Sequence, residues 1–215
     1  MTRKSGKPPD MREKILLAAA RLFLKKGYEA TTMQDIVTAA RTSIGNVYFY
    51  FENKEGLAWA LLEEAATAVW ASTDEAVTAV PRGPARLVVM VLSNALNLLG
   101  PSAGISRILL LDSATTTLRD RVASRFAARI RSYIMENVPD FPRERIDYAV
   151  AAWMGAGRNS IQQRLLGALD GEPRDLALFV VRWNLRGLGV RDAEIDKAIE
   201  IALPVVDRLE QARHR

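Results

Sequence analysis

The chain has 215 residues, enough for one large domain or two small ones, and 49% of them are hydrophobic, which supplies material for a core. It contains no cysteine, and its single histidine, His214, is the next-to-last residue. Disulfides, thiolate metal sites and cysteine nucleophiles are therefore excluded, and zinc or serine–histidine chemistry lacks a rigidly held imidazole. We expect no catalytic residues, no cofactor and no bound metal.

The net charge of +5 is concentrated near the start of the chain. Residues 1–60 contain ten Lys or Arg against six Asp or Glu, whereas the other 155 residues contain twenty against nineteen. This asymmetry indicates a polyanionic partner for the N-terminal part, although a solvated basic surface explains the charge alone equally well.

No apolar run approaches the roughly 20 residues needed to span a membrane. Basic residues precede an apolar stretch that starts at Ile15, as in a secretory signal, but Arg21 and Lys25 interrupt it and no cleavage site follows. We therefore expect a cytoplasmic protein.

The first part of the chain predicts an arm and then a helix. Residues 1–10 are polar and include a Pro-Pro pair, which predicts a flexible basic arm. An apolar stripe predicts a helix over Met11–Lys26, with Gly27 as its C-cap.

Two short helices are predicted next, each preceded by a polar cap. Thr32 precedes Met33–Ala40, and Asp35 is placed to complete a capping box. Ser43 precedes the helix Ile44–Tyr50.

The rest of the chain predicts a larger helical body punctuated by Gly and Pro. Its predicted helices are Lys54–Val80, Ala85–Leu99, Ser106–Ser113, Thr117–Asn137, Arg143–Leu169, Arg174–Gly187 and Asp192–Ala212. The predicted fold class is all-α: a three-helix helix-turn-helix head over residues 11–55, joined to a helical-bundle body over residues 56–215.

The helix-turn-helix spans Thr31 to Phe51, and its tight turn is Arg41-Thr42. In this arrangement the second of the paired helices enters the major groove of DNA. Gly45 allows close approach to a phosphate, and Asn46 suits the two hydrogen bonds that read adenine.

Phosphate contacts are predicted from the same segment. Ser43 is a compact hydrogen-bonding group, Tyr48 and Tyr50 carry hydroxyls that reach phosphates, and Lys54 begins the next helix. Residues 48–51 are all aromatic, but four consecutive residues cover every face of a helix. We therefore expect Val47 and Phe51 in the core and Tyr48 exposed.

These motifs closely resemble the DNA-binding head of the TetR family of bacterial regulators. The resemblance covers about residues 11–62, and the body matches only in being helical and of suitable length. The positions that match the family pattern around the third helix are Ser43, Gly45, Val47, Tyr48, Tyr50, Phe51, Lys54, Glu55 and Leu57.

The resemblance implies a ligand-responsive regulator that binds a palindromic double-stranded operator as a homodimer, with repression favoured and release by a small-molecule effector. It implies operator contacts, mostly to phosphates, from Thr32, Met33 (through its backbone amide), Thr42, Ser43, Gly45, Tyr48, Tyr50 and Lys54. The residues that we expect to read bases are Ile44, Asn46 and Phe49.

Two residues depart from the family pattern. Arg41 occupies a turn position usually held by Gly, so it needs a strained positive φ or adds a phosphate contact. Ile44 stands where Lys is common, which removes one cation and leaves an apolar group able to touch a thymine methyl.

The resemblance also implies dimerisation through the last large helices, here Arg143–Leu169 and Arg174–Gly187. Small residues in the first of these permit close approach of a second helix, and intramolecular packing of the same residues is the alternative. They are Ala149, Ala152, Gly155, Ala156 and Gly157.

An effector pocket is implied within the body, and we select residues that combine apolar bulk with a few polar groups. The predicted lining is Trp70, Met90, Asn94, Asn97, Leu98, Asp112, Trp153 and Met154. Ordinary core packing is the alternative for each of them.

Two other function classes stay open at this stage. One is an enzyme or ligand carrier, for example one that uses Asp112 with a distant Glu, although no nucleophile, phosphate-loop or metal motif supports it. The other is a helical adaptor that uses its basic head nonspecifically.

Overall fold

In a computed structural model of the chain, residues 10–100, 104 and 113–213 are described. Within these residues there are nine α-helices and no strand, which confirms the all-α prediction. The helices are α1 (Met11–Lys26), α2 (Met33–Ala40), α3 (Ile44–Tyr50), α4 (Lys54–Thr78), α5 (Pro84–Leu99), α6 (Thr116–Asn137), α7 (Ile146–Leu165), α8 (Pro173–Gly187) and α9 (Asp192–Arg213).

The predicted bounds of α1, α2 and α3 are confirmed, and some later bounds differ. Helix α4 ends at Thr78 rather than Val80, because the last residues turn into i→i+3 hydrogen bonds. Helix α7 begins at Ile146, after a 3₁₀ turn over Arg143–Arg145, and ends before Leu169 because Gly167 adopts a positive φ of 76°.

Some predicted features lie outside the described residues: positions 1–9 of the arm, residues 106–112 of one helix, and Asp112 of the pocket. Asp10, assigned to the arm from sequence, is instead the N-cap of α1. Its carboxylate accepts a hydrogen bond of 2.8 Å from the backbone N–H of Glu13.

The chain divides into two compact units. One contains the described residues of 10–65 together with 104 and 113–120, and the other contains those of 66–100 and 121–213. The divisions fall inside α4 and inside α6, so both of these helices contribute to both units.

In the first unit, α1 packs against α2 and α3. Ile15 and Phe23 of α1, Ile36 of α2 and Val47 of α3 are completely buried, so all three short helices contribute to one apolar centre. Phe23 also packs against the ring of Tyr28, with a distance of 5.3 Å between the ring centres.

The start of α2 carries the predicted capping box. Thr32 Oγ1 accepts from Asp35 N at 3.1 Å, and Asp35 Oδ2 accepts from Thr32 N at 2.7 Å. Lys26, at the end of α1, donates from Nζ to Asp35 Oδ2 at 2.5 Å. This ammonium and the Thr32 hydrogen bonds hold the pKa of Asp35 well below its usual range.

The second unit is built around α5, which packs against α7, α8 and α9. Leu87, Met90 and Leu92 of α5 are completely buried, as are Leu185 of α8 and Val206 of α9. A helix that is apolar on nearly every face is expected at the centre of a helical core, and α5 is that helix here.

We predict that Asp35→Asn lowers the melting temperature at pH 7, because an uncharged amide loses the ion pair with the Lys26 ammonium. The folded pKa of Asp35 is depressed, so its stabilising effect is present above the ordinary carboxyl pKa of about 4 and is lost as the pH falls below it. The difference from wild type should therefore shrink progressively below about pH 4.

Thermal unfolding monitored by circular dichroism across pH 2–8 measures this effect. Asp170→Asn, which replaces an exposed carboxylate in the loop between α7 and α8, is the control and should show no such pH dependence. A difference between Asp35→Asn and wild type that is constant over the whole pH range would contradict the assignment.

Candidate nucleic-acid interface

Helix α3 has one buried side and one exposed side. Val47 is completely buried and Phe51, directly after the helix, is 5% exposed, which confirms the prediction that both belong to the core. Ile44, Tyr48 and Phe49 are 43%, 51% and 79% exposed. Since a helix places consecutive residues about 100° apart, burial of Val47 directs its neighbours toward solvent.

The N-terminus of α3 is organised by two side-chain hydrogen bonds. Ser43 Oγ accepts from Asn46 N at 3.2 Å, as predicted for the N-cap. Asn46 Nδ2 donates to Thr42 Oγ1 at 2.9 Å. An amide has two N–H donors and a carbonyl acceptor, so Asn46 keeps one N–H and its oxygen for a further partner.

Exposed aromatic groups dominate the second half of α3. The rings of Phe49 and Tyr50 meet edge to face at 5.0 Å between their centres, and Tyr50 is 40% exposed. With Tyr48 and Ile44 they give α3 a solvent-facing surface that is apolar except for two phenolic hydroxyls and the Asn46 amide.

Gly45 has no packing role within the described residues. A Cβ built at this position would meet only Ser43 Oγ, at 3.9 Å, which is ordinary contact distance. Internal packing therefore does not require a glycine at this exposed position, and the close approach of a phosphate stays a prediction.

Lys54 makes contacts that the sequence did not reveal. Its Nζ donates to the carbonyl oxygens of Tyr28 at 2.9 Å and Glu29 at 3.1 Å, and it lies 4.4 Å from the centre of the Tyr28 ring. Lys54 thus ties the start of α4 to the loop after α1. One ammonium N–H is left, so the phosphate contact stays a prediction.

Thr32 and Met33 lie together at the N-terminus of α2. The Thr32 hydroxyl donates to Asp35 Oδ2 at 2.7 Å and accepts from Asp35 N, so its side chain is engaged within the cap. Met33 is half-buried, and its backbone N–H belongs to the first turn, where helix amides have no intrahelical acceptor. A contact of either with an operator stays a prediction.

Arg41 adopts the left-handed conformation, with φ 52° and ψ 52°. This is the strained backbone that the departure from Gly predicts at the turn. Arg41 is exposed, in contrast to Lys54.

In the body, α7 and α8 pack against each other and each carries an exposed stripe at helical spacing. On α7 it comprises Tyr148, Ala151, Ala152, Gly155 and Asn159, and on α8 it comprises Asp175, Phe179, Trp183 and Arg186. Tyr148, Phe179 and Trp183 are large aromatics with 78%, 65% and 65% exposure. Only the small residues of this surface were predicted from the sequence, and the three aromatics were not.

The small residues of α7 were predicted either to contact a second chain or to pack within this one, and they differ in exposure. Ala152 and Gly155 lie on the exposed stripe, whereas Ala149 packs against the core. A Cβ added to Gly155 or Gly157 would meet no atom within 4 Å, so packing within the described residues does not require a glycine at either place.

The described members of the predicted effector pocket lie in different surroundings. Met90 and Trp153 are buried in the core of the body, and Met154 packs against that core. Asn94 donates one N–H from Nδ2 to the Met90 carbonyl of its own helix at 2.7 Å, and its side chain is half-buried. Asn97 and Leu98 are half-buried near the end of α5.

Trp70, the last described member of that set, belongs to a polar cluster between α4 and α6. The guanidinium carbons of Arg125 and Arg129 lie 5.0 Å and 5.2 Å from the centre of its ring. Arg129 also pairs with Asp74, which accepts from Tyr133 Oη at 2.8 Å. Burial and this hydrogen bond raise the pKa of Tyr133 to about 12.

The described part of the chain has neither a metal-binding cluster nor a membrane-spanning helix. No group of three acidic or histidine side chains is arranged there to hold a metal ion. None of the helices there has the length and apolar character needed to cross a membrane.

Comparison with known proteins identifies the head. Residues 15–61 match the family model of the bacterial regulatory proteins of the tetR family. The HTH-type transcriptional regulator QacR of Staphylococcus aureus is 43% identical over 53 residues, which is 25% of this chain and 28% of QacR. The HTH-type transcriptional repressor BepR of Brucella suis is 34% identical over 65 residues, 30% of this chain and 31% of BepR. The chain thus matches less than a third of the length of these relatives.

Solved structures share the fold over most of the chain. RolR in complex with resorcinol has a TM-score of 0.68 at 20% identity and covers 87% of this chain and 92% of its own. FadR of Bacillus subtilis in complex with stearoyl-CoA has a TM-score of 0.66 at 16% identity and covers 81% and 97%. The head over residues 15–61 therefore matches the tetR family of bacterial regulatory proteins, and the solved structures show that the described chain shares their fold.

Proposed function

We propose that this protein is a transcriptional regulator that binds a palindromic DNA operator as a homodimer, acts as a repressor and is released by a small-molecule effector. The observation that carries the proposal is the geometry of α3. The buried side chain of Val47 fixes this short helix in the head. Its exposed side presents two phenols, apolar groups and the Asn46 amide, which keeps one N–H and its oxygen for a partner, on a head that matches the family's DNA-binding domain.

The exposed side of α3 suits the major groove. The free N–H and oxygen of Asn46 match the N7 acceptor and N6 donor of adenine, and its bond to Thr42 orients the amide before DNA arrives. Ile44 and Phe49 offer apolar contact to thymine methyl groups. Phosphate contacts come from Thr42, Ser43, Tyr48, Tyr50, the backbone around Gly45, and the α2 and α4 N-termini with Thr32, Met33 and Lys54.

A homodimer is supported by the exposed stripes of α7 and α8. Three large aromatics that are each at least 65% exposed, next to a small-residue stripe, form the kind of surface that a second protein chain covers. A two-fold dimer also doubles the DNA that is read, because each head occupies one half-site.

A small-molecule effector is supported by the solved structures that share the fold. RolR was solved with resorcinol, FadR with stearoyl-CoA, and another neighbour is a gamma-butyrolactone receptor. These ligands differ widely in size and polarity, so they support a sensing body without naming its effector. Release of DNA requires that the effector bind the DNA-incompatible conformation more tightly.

The test is binding of the purified protein to genomic DNA fragments, including the segment upstream of its own gene, at several salt concentrations. A regulator should prefer its operator over random DNA by at least about a thousandfold, and affinity should fall steeply as salt rises. Salt-dependent binding with no sequence preference would instead favour an adaptor with a nonspecific basic head. Absence of DNA binding would favour a ligand carrier or an enzyme.

We predict that Asn46→Ala changes the base preference at one position of each half-site, because it removes the two hydrogen bonds proposed for adenine. The loss at that base pair should be about 1–3 kcal/mol. Tyr48→Phe should instead weaken binding to all sequences alike, since a phosphate contact carries no base information.

Selection of bound sequences from a random library measures both effects. The matched control is Gln211→Ala, which removes an exposed amide side chain from α9, outside the head and outside the α7 and α8 stripes, and should leave the preference intact. An unchanged preference in Asn46→Ala would show that another residue reads the bases.

We predict that the double variant Phe179→Glu and Trp183→Glu is monomeric, because two carboxylates replace the exposed aromatics of α8. Operator affinity should drop on the order of 100-fold, since each head then binds its half-site independently. Analytical ultracentrifugation gives the oligomeric state. Met135→Glu, at an exposed apolar residue of α6, is the control and should leave the dimer intact. A double variant that still dimerises would place the interface elsewhere.

A further inference from the structure

The helix-turn-helix is almost devoid of charge. Between Asp35 and Glu52 the sequence contains one charged residue, Arg41. Helix α3 itself, with the sequence IGNVYFY, has no charge at all. An element that approaches a phosphate backbone gains most of its sequence-independent affinity from cations, and here a single cation is present.

Arg41 holds a backbone conformation that disfavours any residue with a side chain. Its φ of 52° and ψ of 52° lie in the left-handed region, and it is the one non-glycine residue with positive φ in the described part of the chain. The conformation closes α2: Arg41 N donates to the Thr38 carbonyl and Thr42 N to the Val37 carbonyl, both at 3.2 Å. Glycine fits this position without steric penalty.

Contacts with the described residues do not account for the arginine. Its side chain is exposed, and the described residues provide it with neither a hydrogen bond nor an ion pair. Several other arginines of the chain have carboxylate partners: Arg12, Arg129, Arg131, Arg174, Arg182, Arg186 and Arg191. No described residue therefore occupies the guanidinium of Arg41.

We propose that Arg41 binds a phosphate of the DNA backbone beside each half-site and supplies the cationic anchor that α3 lacks. The proposal rests on the proposed function. Arg41 lies two residues before Ser43, the N-cap of α3, so its Cα is close in the chain to the amides that begin that helix. Its planar fork of N–H donors matches two phosphate oxygens. On this proposal, an arginine is kept at position 41 because it binds DNA, although its positive φ lowers the stability of the fold.

Three substitutions separate charge from backbone strain. Arg41→Gly removes both, Arg41→Asn removes the charge with a residue that tolerates the left-handed region, and Arg41→Lys keeps the charge but loses the fork. Arg82→Asn, at an exposed arginine in the loop between α4 and α5, is the matched control for loss of one positive charge.

Affinity is measured against the selected operator and against a random duplex over a range of salt, and melting temperature is measured in parallel. Arg41→Gly and Arg41→Asn should lose affinity on the order of tenfold for both duplexes. The slope of log affinity against log salt concentration should become smaller by about one for each Arg41–phosphate contact that is lost. Arg41→Gly should melt at a temperature equal to or higher than wild type. Arg41→Lys should keep the slope, and Arg82→Asn should match wild type throughout.

Unchanged affinity and slope in Arg41→Asn would overturn the proposal. A loss confined to one base pair of the operator would also overturn it, because it would make Arg41 a base reader. A wild-type protein without sequence preference would contradict the proposed function. If Arg41→Asn still lowers the salt dependence of binding to random DNA in that case, the phosphate contact of Arg41 is nevertheless supported.

Discussion

The burial of Val47 is the interaction on which the proposed interface depends. Helix α3 has only seven residues, whereas isolated helices shorter than about 12–15 residues are marginal in water. It persists because Val47 and Phe51 are buried in the first unit and because Ser43 caps its first turn. Every exposed group on α3 takes its direction from that anchored side, so the chemistry that it presents is set by packing against α1 and α2.

The head was predictable from the sequence because its boundaries depend on local chemistry. The Thr32–Asp35 capping box, the Ser43 cap and Gly27 are signals that span three or four residues, and the structure contains all three. The roles of Lys54 and Trp70 were not predictable in the same way. Lys54 bonds a carbonyl 26 residues earlier, and the residues that stack on Trp70 lie on another helix, so neither leaves a pattern along the chain.

The body shows a further limit of periodicity. Apolar residues at helical spacing indicate a helix face that is shielded from water. The same residue types occur in a core, in a cavity wall and at an interface, so the pattern does not distinguish these three. Met90 and Trp153 were therefore predicted to line a pocket, whereas the structure places them in the core. Phe179 and Trp183 were not predicted as surface residues. Their exposure is known only from the structure, which places Val180 and Leu185 on the buried side of α8.

The division of α3 into buried and exposed positions has a consequence for how such a protein changes over time. Val47 carries the folding role, while Ile44, Asn46 and Phe49 are exposed and make few demands on the core. Exposed substitutions generally alter stability by less than about 0.5 kcal/mol. Under the proposed function, new DNA preferences are accessible by drift or by design at these three positions while the buried scaffold is kept.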